Sequence, residues 1–149
     1  MIPNELEHYL FDHIPLSKAL QVSVLEIRED EVVVEAPLSA NINHCSTVFG
    51  GSASAVAILA AWSLLYIRLK NVGINSQLVI QRNTMEYEHP IAGDFVARSS
   101  LTHAVDWSKF IRMLSRKGKA RISVSSVLEC NGKLVGHLKG DFVAFSNAK

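Results

Sequence analysis

The sequence predicts an α+β domain in which a six-stranded antiparallel sheet wraps one long central helix. Three observations carry this expectation. First, Ser52 to Leu69 lacks Pro and Gly and is apolar on nearly every face until Tyr66 and Arg68. A helix that is apolar all round must be enclosed on most sides. Second, two short β-branched runs precede that helix and four longer strand-like stretches follow it. Third, the 149 residues contain no internal repeat, low-complexity tract or linker. A single domain over residues 1–149 is therefore expected.

The elements follow in order. Asn4 to His13 sets Leu6, Tyr9, Leu10 and His13 at helical spacing, with Asn4 as its cap and Pro15 as its stop. A helical turn over Leu16 to Leu20 comes next. Val22, Val24 and Ile27 then suggest a strand, which ends at the acidic turn Arg28-Glu29-Asp30-Glu31. Val32 to Ala36 returns as its partner, and Pro37 ends it. The apolar helix closes at Gly73. Strands are expected over Gln77 to Glu88, Asp94 to Ala104, Ala120 to Cys130 and Leu134 to Phe145. Pro90-Ile91-Ala92-Gly93 supplies the turn before the second of these, and Asn131-Gly132 is a hairpin signal between the last two.

Composition narrows the function classes. The net charge is +1, so no global field selects nucleic acid or membrane as a partner. Cys45 and Cys130 lack CxxC or clustered His/Cys spacing. They read as two reduced thiols, with a disulfide or a metal pair as the lesser alternative. The start, MIPNELEHYL, carries acids and no basic region, so a cytoplasmic protein is expected. Polar residues interrupt the uncharged stretch from Ile42 to Ile67, leaving less than the roughly 20 apolar residues a membrane span needs. No metal or cofactor is implied.

Residues 43–51 read Asn-His-Cys-Ser-Thr-Val-Phe-Gly-Gly and lead into the apolar helix. Gly50 and Gly51 remove side chains where the first-turn amides are unpaired and the helix dipole is positive. Such amides can hold a carbonyl and favour negative charge developing on its oxygen. Asn43 can add a donor or orient the carbonyl, but it cannot serve as a base. Taken alone, a glycine pair before a helix reads first as a tight turn, and a loop asparagine as a turn former.

Asn43-x-x-Ser46-Thr47-Val48-Phe49-Gly50-Gly51 resembles the loop before the buried helix of hotdog-fold acyl-CoA thioesterases. Tyr87-x-x-Pro90-x-x-Gly93-Asp94 resembles a later segment of the same superfamily. More narrowly, Thr47 to Ser52 with Ala61-Trp62 resembles a thioesterase domain that in bacteria also occurs fused to acetyltransferase domains. The resemblance covers nearly the whole chain. It implies a hotdog fold and an acyl-CoA or acyl-carrier-protein thioester as substrate. It further implies a homodimer or higher homo-oligomer with sites at the subunit boundary. Asn43 then becomes the candidate catalytic residue, and Thr47, Val48, Phe49, Gly50, Gly51 and Ser52 the candidate substrate-binding residues.

Two departures from that pattern matter. Ser46 stands where a glycine is expected. No acid lies between Ser52 and Leu69, although many hotdog thioesterases carry one near the position of Ile58. Hydrolysis needs an activated water. Other candidate bases are His44, Glu86, Glu88, His89 and Asp94, each of which reads first as a solvated or turn residue. Ser54 and Ser63 on the helix read as hydroxyls bonded back to helix carbonyls rather than as nucleophiles.

Lys109, Arg112, Arg116, Lys117, Lys119 and Arg121 form a basic segment with no acid among them. It is either a solvated connector or a site for the phosphates of coenzyme A or an acidic carrier, with Arg112, Arg116 and Lys117 as the binding residues. Trp107 and Phe110 beside it either pack on a pantetheine arm or anchor the connector. Three functions stay open. Hydrolysis of the thioester comes first. Decarboxylation of a malonyl thioester is the alternative, because it needs enolate donors but no base. A non-catalytic acyl-thioester-binding module is the third.

Overall fold

The computed structural model describes residues 1–103 and 105–146. Ala104, the expected last residue of one strand, lies outside them. The chain opens with α1 (Pro3–His13) and α2 (Pro15–Ala19), then β1 (Ser23–Ile27) and β2 (Val32–Ala36). The long helix α3 (Gly50–Asn71) comes next, followed by β3 (Ser76–Tyr87) and β4 (Phe95–Leu101). Helix α4 (Trp107–Lys117), β5 (Lys119–Cys130) and β6 (Lys133–Ser146) complete it. The six strands form one antiparallel sheet in the order β1-β2-β4-β5-β6-β3. A long apolar helix held against such a sheet is the expected hotdog arrangement.

The centre of the molecule is the contact of α3 with the sheet. Ala53, Val56, Ala57, Ala60, Ala61, Leu64 and Leu65 are buried and meet Phe95, Val124, Leu128 and Phe142 in one core cluster. The alanines let the backbones come close. Ser126 of β5 donates its hydroxyl to the Ala57 carbonyl at 2.7 Å, deep in the core. By length and composition α3 also resembles a membrane span, yet 61% of its most apolar window is buried against the rest of the chain. That is the behaviour of a core helix.

Several expectations need correction. Asn4 does not cap α1. Pro3 takes the first helical position, where its fixed φ is pre-organised, and the Glu5 carboxylate accepts the Ile2 N–H at 3.1 Å. The segment read as a basic connector is the helix α4. The Asp106 side chain accepts the Lys109 N–H at 3.0 Å, and Gly118 closes the helix at φ 73°. Phe110 and Leu114, one turn apart, are its buried face. The turn at residues 90–93 carries the chain from β3 at the sheet edge to β4 in its interior. Asn131 and Gly132 both have positive φ, 53° and 76°, as a two-residue hairpin of this kind requires.

Strand β3 contains a bulge. Ile80 pairs with Phe142 and Arg82 with Asp141, so Gln81 has no ladder partner. The other edge of β3 meets no strand among the described residues.

The core argument makes a direct prediction. Leu64 is fully buried at mid-helix. Leu64→Ala should lower unfolding stability by about 2–5 kcal/mol. Lys139→Ala on the exposed sheet face should change it by no more than about 0.5 kcal/mol. Urea unfolding of the two variants beside the parent chain measures both.

Candidate active site

The loop into α3 is held by its own first residue. The Asn43 side-chain oxygen accepts the Cys45 N–H at 2.8 Å and the Thr47 N–H at 3.1 Å. Its Nδ2 donates to Thr47 Oγ1 at 2.9 Å and reaches the Val48 carbonyl only at 3.5 Å. The backbone closes the same loop, with Asn43 N–H to Thr47 O at 2.8 Å. Ser46 stands at φ 62°, a left-handed conformation in which glycine is the easier residue. This accounts for the glycine expected there.

Two further bonds fasten the loop to the body. Val48 donates to the Ile91 carbonyl and Phe49 to the Asn41 carbonyl, at 2.9 and 2.8 Å. Helix α3 therefore starts at a fixed place, with Phe49 as its cap residue and no side chain capping it. The first backbone bond into the helix is Ala53 N–H to Phe49 O at 3.0 Å. The amides of Gly50, Gly51 and Ser52 thus have no acceptor among the described residues, at the positive end of the dipole.

Of these three residues, Gly50 lines a cleft of about 350 Å³. Thr47, Val48, Gly50 and Ala53 form one wall, and residues 87–91 form the other. The Tyr87 hydroxyl donates to the Gly50 carbonyl at 3.0 Å, and its ring lies 3.5 Å from where a Gly50 side chain would begin. Tyr87, Ala53 and Ile91 were not among the expected binding residues. The Tyr-x-x-Pro motif carried the signal for Tyr87, and the sheet topology explains it. Of the expected site residues, Asn43, Phe49, Gly51 and Ser52 are not among those that line the cleft, and Phe49 is 58% exposed.

The candidate bases separate clearly. Glu88 and His89 line the cleft. The Glu88 carboxylate, however, is engaged by His137 Nδ1 at 2.6 Å. Asp94 accepts the Leu38 N–H at 2.8 Å and serves the turn. Glu86 and His44 are exposed and do not line the cleft. Ser63 is fully buried, which rules it out as a nucleophile, and its hydroxyl has no partner among the described residues rather than the expected helix carbonyl.

The basic residues lie elsewhere. Tyr87 pairs with Gly136, and Gly136 with Leu128, so the cleft sits at the Cys130 end of β5. Helix α4 joins β5 at Lys119, its other end. The nine residue steps from Lys119 to Leu128 span about 30 Å. Within one chain, therefore, Arg112, Arg116 and Lys117 do not share the cleft with Gly50. They flank Met113 on the exposed side of α4, and none pairs with a carboxylate among the described residues. Trp107 is occupied as well, with the Arg68 guanidinium 4.4 Å from its ring centre.

Comparison with known proteins places this geometry. A crystal structure of a protein of unknown function from Chlorobaculum tepidum is similar at 26% identity and a TM-score of 0.91, over 98% of both chains. A crystal structure of a "putative thioesterase" from Shewanella oneidensis is similar at 25% identity and a TM-score of 0.85, over 96% of both chains. A thioesterase from Haemophilus influenzae shares the fold at 10% identity and a TM-score of 0.81, covering all of this chain and 94% of its own. The profile of the family described as "Putative thioesterase (yiiD_Cterm)" matches residues 3–146. With that match over almost its whole length, and with the wrapped helix and its uncapped first turn in place, the chain belongs to this thioesterase family.

Proposed function

We propose that the protein is a cytoplasmic hydrolase of acyl-CoA or acyl-carrier-protein thioesters. The observation that carries this is the uncapped first turn of α3 at Gly50, Gly51 and Ser52, with Gly50 on the wall of a cleft that Val48, Ala53, Ile91 and His89 also line. A thioester carbonyl pointed at these amides gains stabilisation as its oxygen becomes negative. Water attacks the carbonyl carbon and gives up a proton, the C–S bond breaks, and the thiol leaves with a proton. His89 is the imidazole on the cleft wall and takes the role of base, since His137 already holds Glu88.

Asn43 acts first as the residue that positions the loop. One of its amide N–H groups is held well by Thr47. The other, 3.5 Å from the Val48 carbonyl, is weakly engaged and free to be taken by the substrate carbonyl. The cations of α4 are the docking surface for an acidic carrier.

A second reading has its own observation. No acid occurs along α3 from Gly50 to Asn71. Loss of carbon dioxide from a malonyl thioester leaves an enolate, which the same amides would stabilise and which a nearby carboxylate would harm. Product identification decides between the readings. Malonyl and straight-chain thioesters on coenzyme A and on carrier protein should yield free thiol and an unshortened acid. Carbon dioxide with the thioester intact would replace hydrolysis by decarboxylation. Binding without either product would make the protein a non-catalytic module.

Two sets of variants test the residues. Folded Asn43→Ala should lose on the order of 100-fold in turnover. Asn43→Asp should lose as much in a decarboxylase and less in a hydrolase, where its carboxylate can activate water. Near-normal turnover in Asn43→Ala would remove that residue from the site. Neutralising Arg112, Arg116 and Lys117 together should weaken carrier binding, and native binding should fall with added salt. Affinity that is unchanged and insensitive to salt would reduce α4 to a solvated helix.

A further inference from the structure

The cleft that Gly50 lines also carries a carboxylate, Glu88, on its opposite wall. The start of α3 favours negative charge on a ligand, and a carboxylate opposes it. An uncovered Glu88 would therefore raise the cost of any oxyanion or enolate forming there. His137 of β6 removes this conflict, and the backbone is shaped to bring it within reach.

Strand alternation should turn Glu88 to the side opposite Tyr87. It does not, because the chain bulges just past the end of β3. The N–H groups of Glu88 and His89 both donate to the Val135 carbonyl, at 3.0 and 3.2 Å. Two residues thus oppose one, and Tyr87, Glu88 and His89 all line the same cleft. Strand β6 comes close at this point. A side chain on Gly136 would begin 2.8 Å from the Glu86 carbonyl, so only glycine sits there without a shift of the backbone. The next residue, His137, is the ladder partner of Glu86. From that position its Nδ1 meets Glu88 Oε1 at 2.6 Å, a charge-assisted contact once the imidazole is protonated. No other cation pairs with Glu88 among the described residues.

We propose that His137 is a positioning residue whose charge covers Glu88 and leaves the cleft able to hold a ligand that gains negative charge. His137 does not line the cleft itself and acts through Glu88. Its imidazolium offsets the carboxylate, and its N–H draws the carboxylate toward β6. The same cover serves hydrolysis and decarboxylation, since both accumulate negative charge on the carbonyl oxygen. The two side chains are 48% and 36% exposed, so solvent screens the pair and the effect is of the order of tenfold rather than a thousandfold. This inference rests on the acyl-thioester reading above.

Removing first the cover and then the charge tests it. In folded His137→Leu, kcat should fall about fivefold or more, with KM within about twofold of the parent, because the ground-state thioester is neutral. Adding Glu88→Gln to that variant should restore most of the loss, since no charge is left to cover. A pair that merely braces β3 against β6 behaves differently. Removing its second member leaves the loss in place or deepens it, and that result overturns the proposal. Unchanged turnover in His137→Leu overturns it as well.

Binding separates the charge effect from the reaction. The S-carboxymethyl and S-carbamoylmethyl thioethers of coenzyme A and of acyl carrier protein serve as probes. The two groups have nearly the same shape and differ by one negative charge close to the place of the thioester carbonyl. In calorimetry, His137→Leu should weaken the carboxymethyl probe about fivefold more than the carbamoylmethyl one. The added Glu88→Gln should remove that difference. Such selectivity in a chain without turnover keeps the role of His137 and removes the enzyme. Equal losses for both probes, or no binding of either to the parent chain, overturn the role of His137.

Discussion

The structure depends on the need to hide α3 from water. Its buried positions occur on every turn and around most of its circumference. Packing against a flat surface would leave much of that apolar area exposed. The sheet covers one side and Tyr9 of α1 stacks on Trp62 and Tyr66 at another, while α4 packs on β5 and β6 and meets α3 through Arg68 over Trp107. Close approach is possible because alanines face the sheet, and Ser126 marks it with a hydrogen bond to a helix carbonyl. The exact seat of α3 then fixes its first turn relative to β3 and the loop at residues 88–94. The candidate site is therefore a by-product of core packing and is built on rigid elements rather than on a free loop.

Much of the fold was legible because it follows local rules. The valine runs flanking the acidic turn define β1 and β2 to within a residue. Asn131-Gly132 sets the β5–β6 hairpin, and uninterrupted apolar sequence marks α3. Helix α4 was legible in principle, since Asp106, Phe110, Leu114 and Gly118 stand at cap, core and stop positions. Its density of cations drew attention to charge and away from its period.

The site was legible only in part, for a different reason. Residues 43–52 are contiguous, so a local motif reveals the loop and the uncapped amides. The pairing of Glu88 with His137 spans 49 positions and depends on strand register. The separation of α4 from the cleft depends on which end of β5 each one meets. Composition and spacing contain neither fact. The role of Asn43 lies between these cases: its residue type suggested a donor, while its observed bonds show most of its capacity spent on holding Thr47 and Cys45.

The unpaired Gln81 governs which side chains can take part at all. Before it, the even-numbered Leu78 and Ile80 face the helix; after it, the odd-numbered Met85 and Tyr87 do. Alternation along an uninterrupted strand would have turned Tyr87 outward and rotated Glu86 toward the amides of α3. A single inserted residue thus sets the electrical character of the cleft. With it, a neutral phenol meets the start of the helix, Glu86 stays off the cleft, and Glu88 on the cleft wall is held by His137. Loss of that one residue would convert a wall suited to accumulating negative charge on a ligand into one that repels it, while leaving every other strand in place.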